Sequence, residues 1–179
     1  MTTETTPAVV PSFMDDDAGD RKIAFICSKG NLDMAYPALI MANGALGEGI
    51  ETHIFFTFWG MDMVNKNTMH DLKFTLLGNT AMHPPGRRFG ISMPQWLGGL
   101  PGMTGMATRM LKKQIKEQGV PPVPEFLDHL VAAGAQLWAC KMSVDMMDLT
   151  MDDMHDGVID IINVTSFMEL SDDAQVIFV

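Results

Sequence analysis

KIAFICSKGNLDMAYPALIMANGALGEGIETHIFFTF, residues 22–58, is the stretch from which the fold follows. Its two ends, KIAFICS and ETHIFFTF, are short runs rich in Ile, Phe and Thr, of the kind that form buried strands. Between them lie KGNLDM, which reads as a turn, and the helix-sized apolar pattern AYPALIMANGALG. Strand, helix-length segment and strand in this order predict a βαβ unit in a buried parallel sheet. Pro37 breaks the regularity of a helix begun at Leu32, but an early turn accommodates it.

Working outward, AQLWAC (135–140), GVIDIIN (157–163) and AQVIFV (174–179) give three more strands. VTSFMEL (164–170), residues 106–118 and EFLDHLVAAG (125–134) give helices, with Met106, Met110 and Ile115 as the packing residues of the first long one after residue 100. MSVDMM (142–147) starts a helix for which Ser143 is the cap candidate, with Val144, Met146 and Met147 turned to the core. The sum is an α/β domain: a mostly parallel five-stranded sheet flanked by helices, interrupted over residues 60–105 by an extended Met/Gly/Pro-rich insertion with a short helix at about 66–77. An ordered insertion of that length calls for an interface or lid role.

The 179 residues suit one such domain, over 21–179, since 47% are hydrophobic and only 19% charged. Residues 1–20 hold five acids and no base short of Arg21, and read as a mobile acidic leader without the basic start of a signal peptide. The net charge of −10 argues against a nucleic-acid partner, although Arg87, Arg88, Arg109, Lys112, Lys113 and Lys116 form a local basic cluster. Phe89–Thr108 has no charged side chain, yet Pro94, Pro101 and its glycines argue against its use as a transmembrane helix. Two cysteines, far apart, suit a reducing, cytoplasmic setting rather than a disulfide framework.

Chemistry then concentrates on Cys140, at the end of a strand and the start of a helix, where backbone amides favour a thiolate and Lys141 adds positive charge. The competing reading is a small apolar residue at the edge of the core, and for Cys27, inside the first strand, that structural reading is the stronger. Trp59, Trp96 and Trp138 are candidates for an apolar approach or for plain packing; Ser143 and Asp145 have local structural roles. The histidines, His53, His70, His83, His129 and His155, form no compact ligand motif, and the 18 methionines read as adaptable packing, so no metal is required. His53 and His83 are the candidates for approaching Cys140 after folding, against an ordinary packing role for each. Neither a P-loop nor a dinucleotide fingerprint is present.

Three segments go further. DMAYPALIMANGALGEGIETHIFFTFWGM (33–61), PGMTGMATRMLKKQI (101–115) at the end of the insertion, and LWACKMSVDMMDLTMDDMHDGVIDIINVTSFM (137–168) together resemble the DsrE/DsrF-like sulfur-relay family, in its form with an insertion before the cysteine-bearing half. The resemblance spans about residues 21–179 and implies that Cys140 is the carrier that holds sulfane sulfur as a persulfide. It implies sulfur-donor and sulfur-acceptor proteins or low-molecular-weight thiols as partners, covalent sulfane sulfur as cargo, no other cofactor, and a homo-oligomer. The activity would be that of a sulfur carrier or sulfurtransferase; the alternative is a noncatalytic sulfur-responsive binding protein or a structural oligomeric one.

Overall fold

The computed structural model of the chain describes residues 21–79 and 94–179. The leader 1–20 and the insertion's middle, with His83, Arg87 and Arg88, lie outside the described residues. Five strands form one sheet: β1 (Lys22–Cys27), β2 (Glu51–Phe56), β3 (Gln136–Cys140), β4 (Val158–Ile162) and β5 (Gln175–Phe178), in the order β4-β3-β2-β1-β5. Every neighbouring pair is parallel. The five strands expected from the sequence are therefore the five observed.

The helices are α1 (Leu32–Gly47), α2 (Met103–Glu117), α3 (Val123–Ala132), α4 (Lys141–Met146) and α5 (Val164–Leu170). α1 runs through Pro37, which is exposed, and it buries small residues, Ala35, Ala38, Ala42 and Ala45, that let it lie close to the sheet. It shares the larger core with Phe126, Leu127 and Leu130 of α3, with Phe25, Ile54, Phe56 and Leu137 supplied by the strands. On the opposite face a smaller cluster joins Ala24, Phe55, Cys140 and Phe167 of α5, the rings of Phe55 and Phe167 stacking at 4.3 Å. From β1 the sheet grows in chain order through β2, β3 and β4 on one side, and β5 returns to pair with β1 on the other, so the order reverses between β1 and β5. Because all five strands run the same way, the loops after them gather beyond one end of the sheet, the end at which doubly wound sheets hold their ligands.

Two expectations, one for the insertion and one for the helix after it, need correction. Residues 66–77 form turns and extended chain rather than a helix, because their amides find partners elsewhere. The amide of Lys66 bonds to the Asp153 carbonyl, that of Asn67 to the side chain of Asn65, that of Phe74 to the Thr108 hydroxyl and that of Thr75 to the Asp33 carboxylate. Asn65 itself makes an isolated antiparallel bridge with Met154. The second correction concerns α2, which starts at Met103 and packs through Ala107, Leu111 and Ile115, leaving Met106 and Met110 exposed. A face spaced every four residues along the helix decides the contact, not the longest side chains.

Candidate functional site

Cys140 ends β3 and is the N-cap residue of α4, with extended backbone angles. Ser143 is therefore not the cap. It sits inside the first turn of the helix, fully buried, and its hydroxyl oxygen accepts from the Phe58 amide at 2.7 Å and lies 3.3 Å from the Thr57 hydroxyl. Parallel pairing explains why Thr57 is there: Phe56 of β2 is opposite Ala139 of β3, so one residue on, Thr57 stands beside Cys140. Phe58, next in the chain, has φ at 45°, a left-handed conformation costly for a bulky residue, and opens a 3-10 turn over Phe58–Met63.

These neighbours set the electrostatics of the thiol. Burial pushes its pKa up, but the Thr57 hydroxyl, the Ser143 amide and hydroxyl and the Met142 amide, polar groups near enough to favour a negative sulfur, together bring the pKa below the ordinary cysteine value. Lys141 is committed elsewhere, its Nζ bonding both carboxylate oxygens of Asp145 at 2.9 and 3.1 Å. The thiolate is thus favoured by short-range donors on the helix start and on the neighbouring strand's loop.

Cys27 has the opposite environment. It is buried in the larger core, where desolvation alone pushes its thiol up to about 12. Its carbonyl accepts from the Thr57 amide at 2.9 Å, and Gly60 approaches the same carbonyl so closely that a Cβ there would stand 2.0 Å from the oxygen. Cys27 supports the loop that holds Thr57, and its thiol is held in the unreactive protonated form.

The expected open strand end is a second point of difference: Cys140 is only 2% exposed. Phe167 closes over the sheet beside it, with Ile26, Trp138, Ile162 and Leu170 packed around the same cluster. The exposed surface here mixes apolar side chains with the Lys141–Asp145 ion pair. Phe58 and Trp59 after β2, and Met142 and Met146 on α4, are all exposed, so Met146 does not take the core position expected of it, whereas Val144 does. Trp96 is exposed on a separate 3-10 turn (Gln95–Gly99).

His53 does not approach the sulfur. It is buried on the sheet face that Trp138 shares, accepts from the indole N–H at its Nδ1 (3.3 Å), and places Nε2 2.8 Å from Glu51 Oε1. Burial outweighs the pull of Glu51 and lowers its pKa, so the ring is neutral, Nε2 carries the proton, and the Glu51 contact is a hydrogen bond rather than an ion pair. His155 is similarly occupied between the Gly157 amide and the Asp128 carboxylate. Among the described residues no three His, Cys, Asp or Glu side chains gather as a metal site. Sequence reading missed Thr57 and Phe58. The signal for Thr57 was present, a polar residue closing an apolar strand destined to neighbour the cysteine's strand.

Comparison with known proteins gives the family and the fold. Residues 19–179 match the model of the DsrE/DsrF/DrsH-like family. The chain is 39% identical over 142 residues to the sulfur carrier protein DsrE2 of Allochromatium vinosum, covering 77% of this chain and 85% of that protein. It is 29% identical over 142 residues to the uncharacterized protein YrkE of Bacillus subtilis, covering 77% and 84% of the two chains. Among solved structures, the protein of unknown function MTH1491 from Methanobacterium thermoautotrophicum superposes with a TM-score of 0.53 at 10% identity, over 89% of this chain and 100% of that one. At that identity the likeness concerns the fold alone.

Proposed function

The chain belongs to the DsrE/DsrF/DrsH-like family, and from that premise we propose that it is a sulfane-sulfur carrier or sulfurtransferase whose Cys140 forms a transient persulfide. The supporting observation is the place of one sulfur, at the N-cap of α4 and beside Thr57 and the buried Ser143, whose polar groups favour the thiolate despite burial. The likeness to a protein named a sulfur carrier points the same way. In the proposed step the Cys140 thiolate attacks the outer sulfur of a donor persulfide, forming a Cys140 S–S bond as the donor's S–S bond breaks and its thiolate leaves. An acceptor thiolate then attacks the outer sulfur and Cys140 leaves as thiolate. Electrons balance in each exchange, so neither an oxidant nor a metal is needed.

Transfer requires that a partner's sulfur reach Cys140, so the Phe167 cover must open or the 58–59 loop must move on docking. Donors and acceptors are proteins or low-molecular-weight thiols, and a reducing compartment suits a carrier thiol. The proposal includes self-association: Val164 and Met168 on α5 and Val176 and Phe178 on edge strand β5 are exposed apolar groups of the kind a second copy covers. No helix among the described residues is long and apolar enough to cross a membrane.

The burial of Cys140 favours a second reading, a sulfur-responsive protein that retains its thiol rather than passing cargo on. One experiment separates the two. The protein is loaded with a defined persulfide donor, the mass of Cys140 is measured, and transfer to an acceptor thiol is followed. A carrier gains one sulfur on Cys140 and loses it to the acceptor, and Cys140→Ser does neither. Loading without transfer establishes the second reading; equal transfer by wild type and Cys140→Ser removes both.

A further inference from the structure

We propose that the cavity between α1, residues 69–72 and the α2–α3 connection binds an amphipathic monocarboxylate, an unbranched aliphatic chain ending in a carboxylate. The cavity holds about 770 Å³, the size of a small-molecule site. None of its lining residues belongs to the Phe167 cluster, and its ligand has no part in the chemistry proposed for Cys140.

Its walls are apolar and fixed. Leu32, Met69, Leu72, Ile115, Val120 and Val123 line it, and Leu32, Leu72 and Val123 are also members of the main core, so the inner wall cannot collapse without disturbing the domain. The Tyr36 hydroxyl donates to the Pro121 carbonyl at 3.1 Å, tying the α2–α3 connection to α1. Gly119 turns the chain out of α2 with φ at 74°, Pro121 and Pro122 stiffen the connection, and Pro124 stands in the first turn of α3. A preformed apolar hollow of this kind takes an aliphatic chain without paying to order its own walls.

The rim decides the headgroup. Lys112 and Lys116 are one turn apart on α2 and both line the cavity, and among the described residues neither is in an ion pair. Lys112 donates to the His70 carbonyl, at 3.3 Å. His70 and His129 add polar groups, and Glu125 is the one carboxylate in the lining. Asp71, nearby, is paired with Lys73, and Lys112 is the least of the influences on it. Two ammonium groups against one carboxylate favour an anionic head beside the lysines and oppose a cationic one.

Decanoate is the probe. Titrated into the full chain and followed by methyl NMR, it is expected to produce saturable shifts at Met69, Leu72 and Ile115. Decanol should bind more weakly and decylamine weaker still. Lys112→Glu/Lys116→Glu, both exposed positions where substitution spares the core, should weaken decanoate by about tenfold or more, the loss of two exposed charge contacts. The proposal is overturned if the shifts are absent or fail to saturate, if decanol or decylamine binds as tightly as decanoate, or if the double substitution leaves the affinity unchanged.

Discussion

Cys140 and Cys27 show how environment separates two identical side chains. Both are buried, yet hydrogen-bond donors surround one sulfur while desolvation alone acts on the other, so one pKa falls and the other rises to about 12. Alkylation of the native protein should therefore modify Cys140 first, and Cys27 only on unfolding, which mass spectrometry of peptides can follow. Ser143 is the residue through which the site is most easily tested. Ser143→Ala removes a donor to the thiolate and leaves the Phe58 amide unpaired, so the midpoint of the pH profile for Cys140 alkylation should move up and stability should fall by about 1–3 kcal/mol. A profile that does not move would mean that the hydroxyl has no influence on the sulfur.

At the scale of elements, the site is a joint between β3, α4 and the loop after β2, covered by α5. The loop depends on glycine. In Gly60→Ala the new methyl would meet the Cys27 carbonyl, and we expect a loss of about 3 kcal/mol, measured by urea denaturation. The cover is a matter of Phe167, whose ring stacks on Phe55. Phe167→Leu should cost about 1 kcal/mol from the lost stacking and raise the native alkylation rate of Cys140, with the rate in denaturant unchanged. An unaltered native rate would show that access runs by another route. The strands were legible because each is a short apolar run bounded by turn residues, and VTSFMEL was legible to the residue as α5. Residues 66–77 were not, since their apolar and polar spacing permits a helix and only the distant partners Asp33, Thr108 and Asp153 draw their amides away.

For the whole molecule, the hydrogen-bonded row Trp138, His53, Glu51 couples stability to pH. The folded pKa of His53 lies below its ordinary value of 6.5, so the unfolded chain takes up its proton first as pH falls. The stabilisation is complete above about 6.5 and is lost as pH drops through the lowered folded value. Wild type should lose stability relative to His53→Gln on going from neutral to mildly acidic pH, and parallel curves for the two would refute this. Self-association belongs to the same scale: sedimentation should show an oligomer in wild type that Phe178→Glu dissociates, and a wild-type monomer would end that expectation. The sequence by itself determined the parallel sheet, its five strands and the placing of Cys140 at a strand end, because periodicity and strand composition are local properties of the chain. Only the tertiary structure decided that Thr57 and Ser143 face the sulfur, that Phe167 covers it and that His53 turns to Trp138. Those contacts join residues far apart in the chain, and their energies depend on strand register and burial, which no local pattern contains.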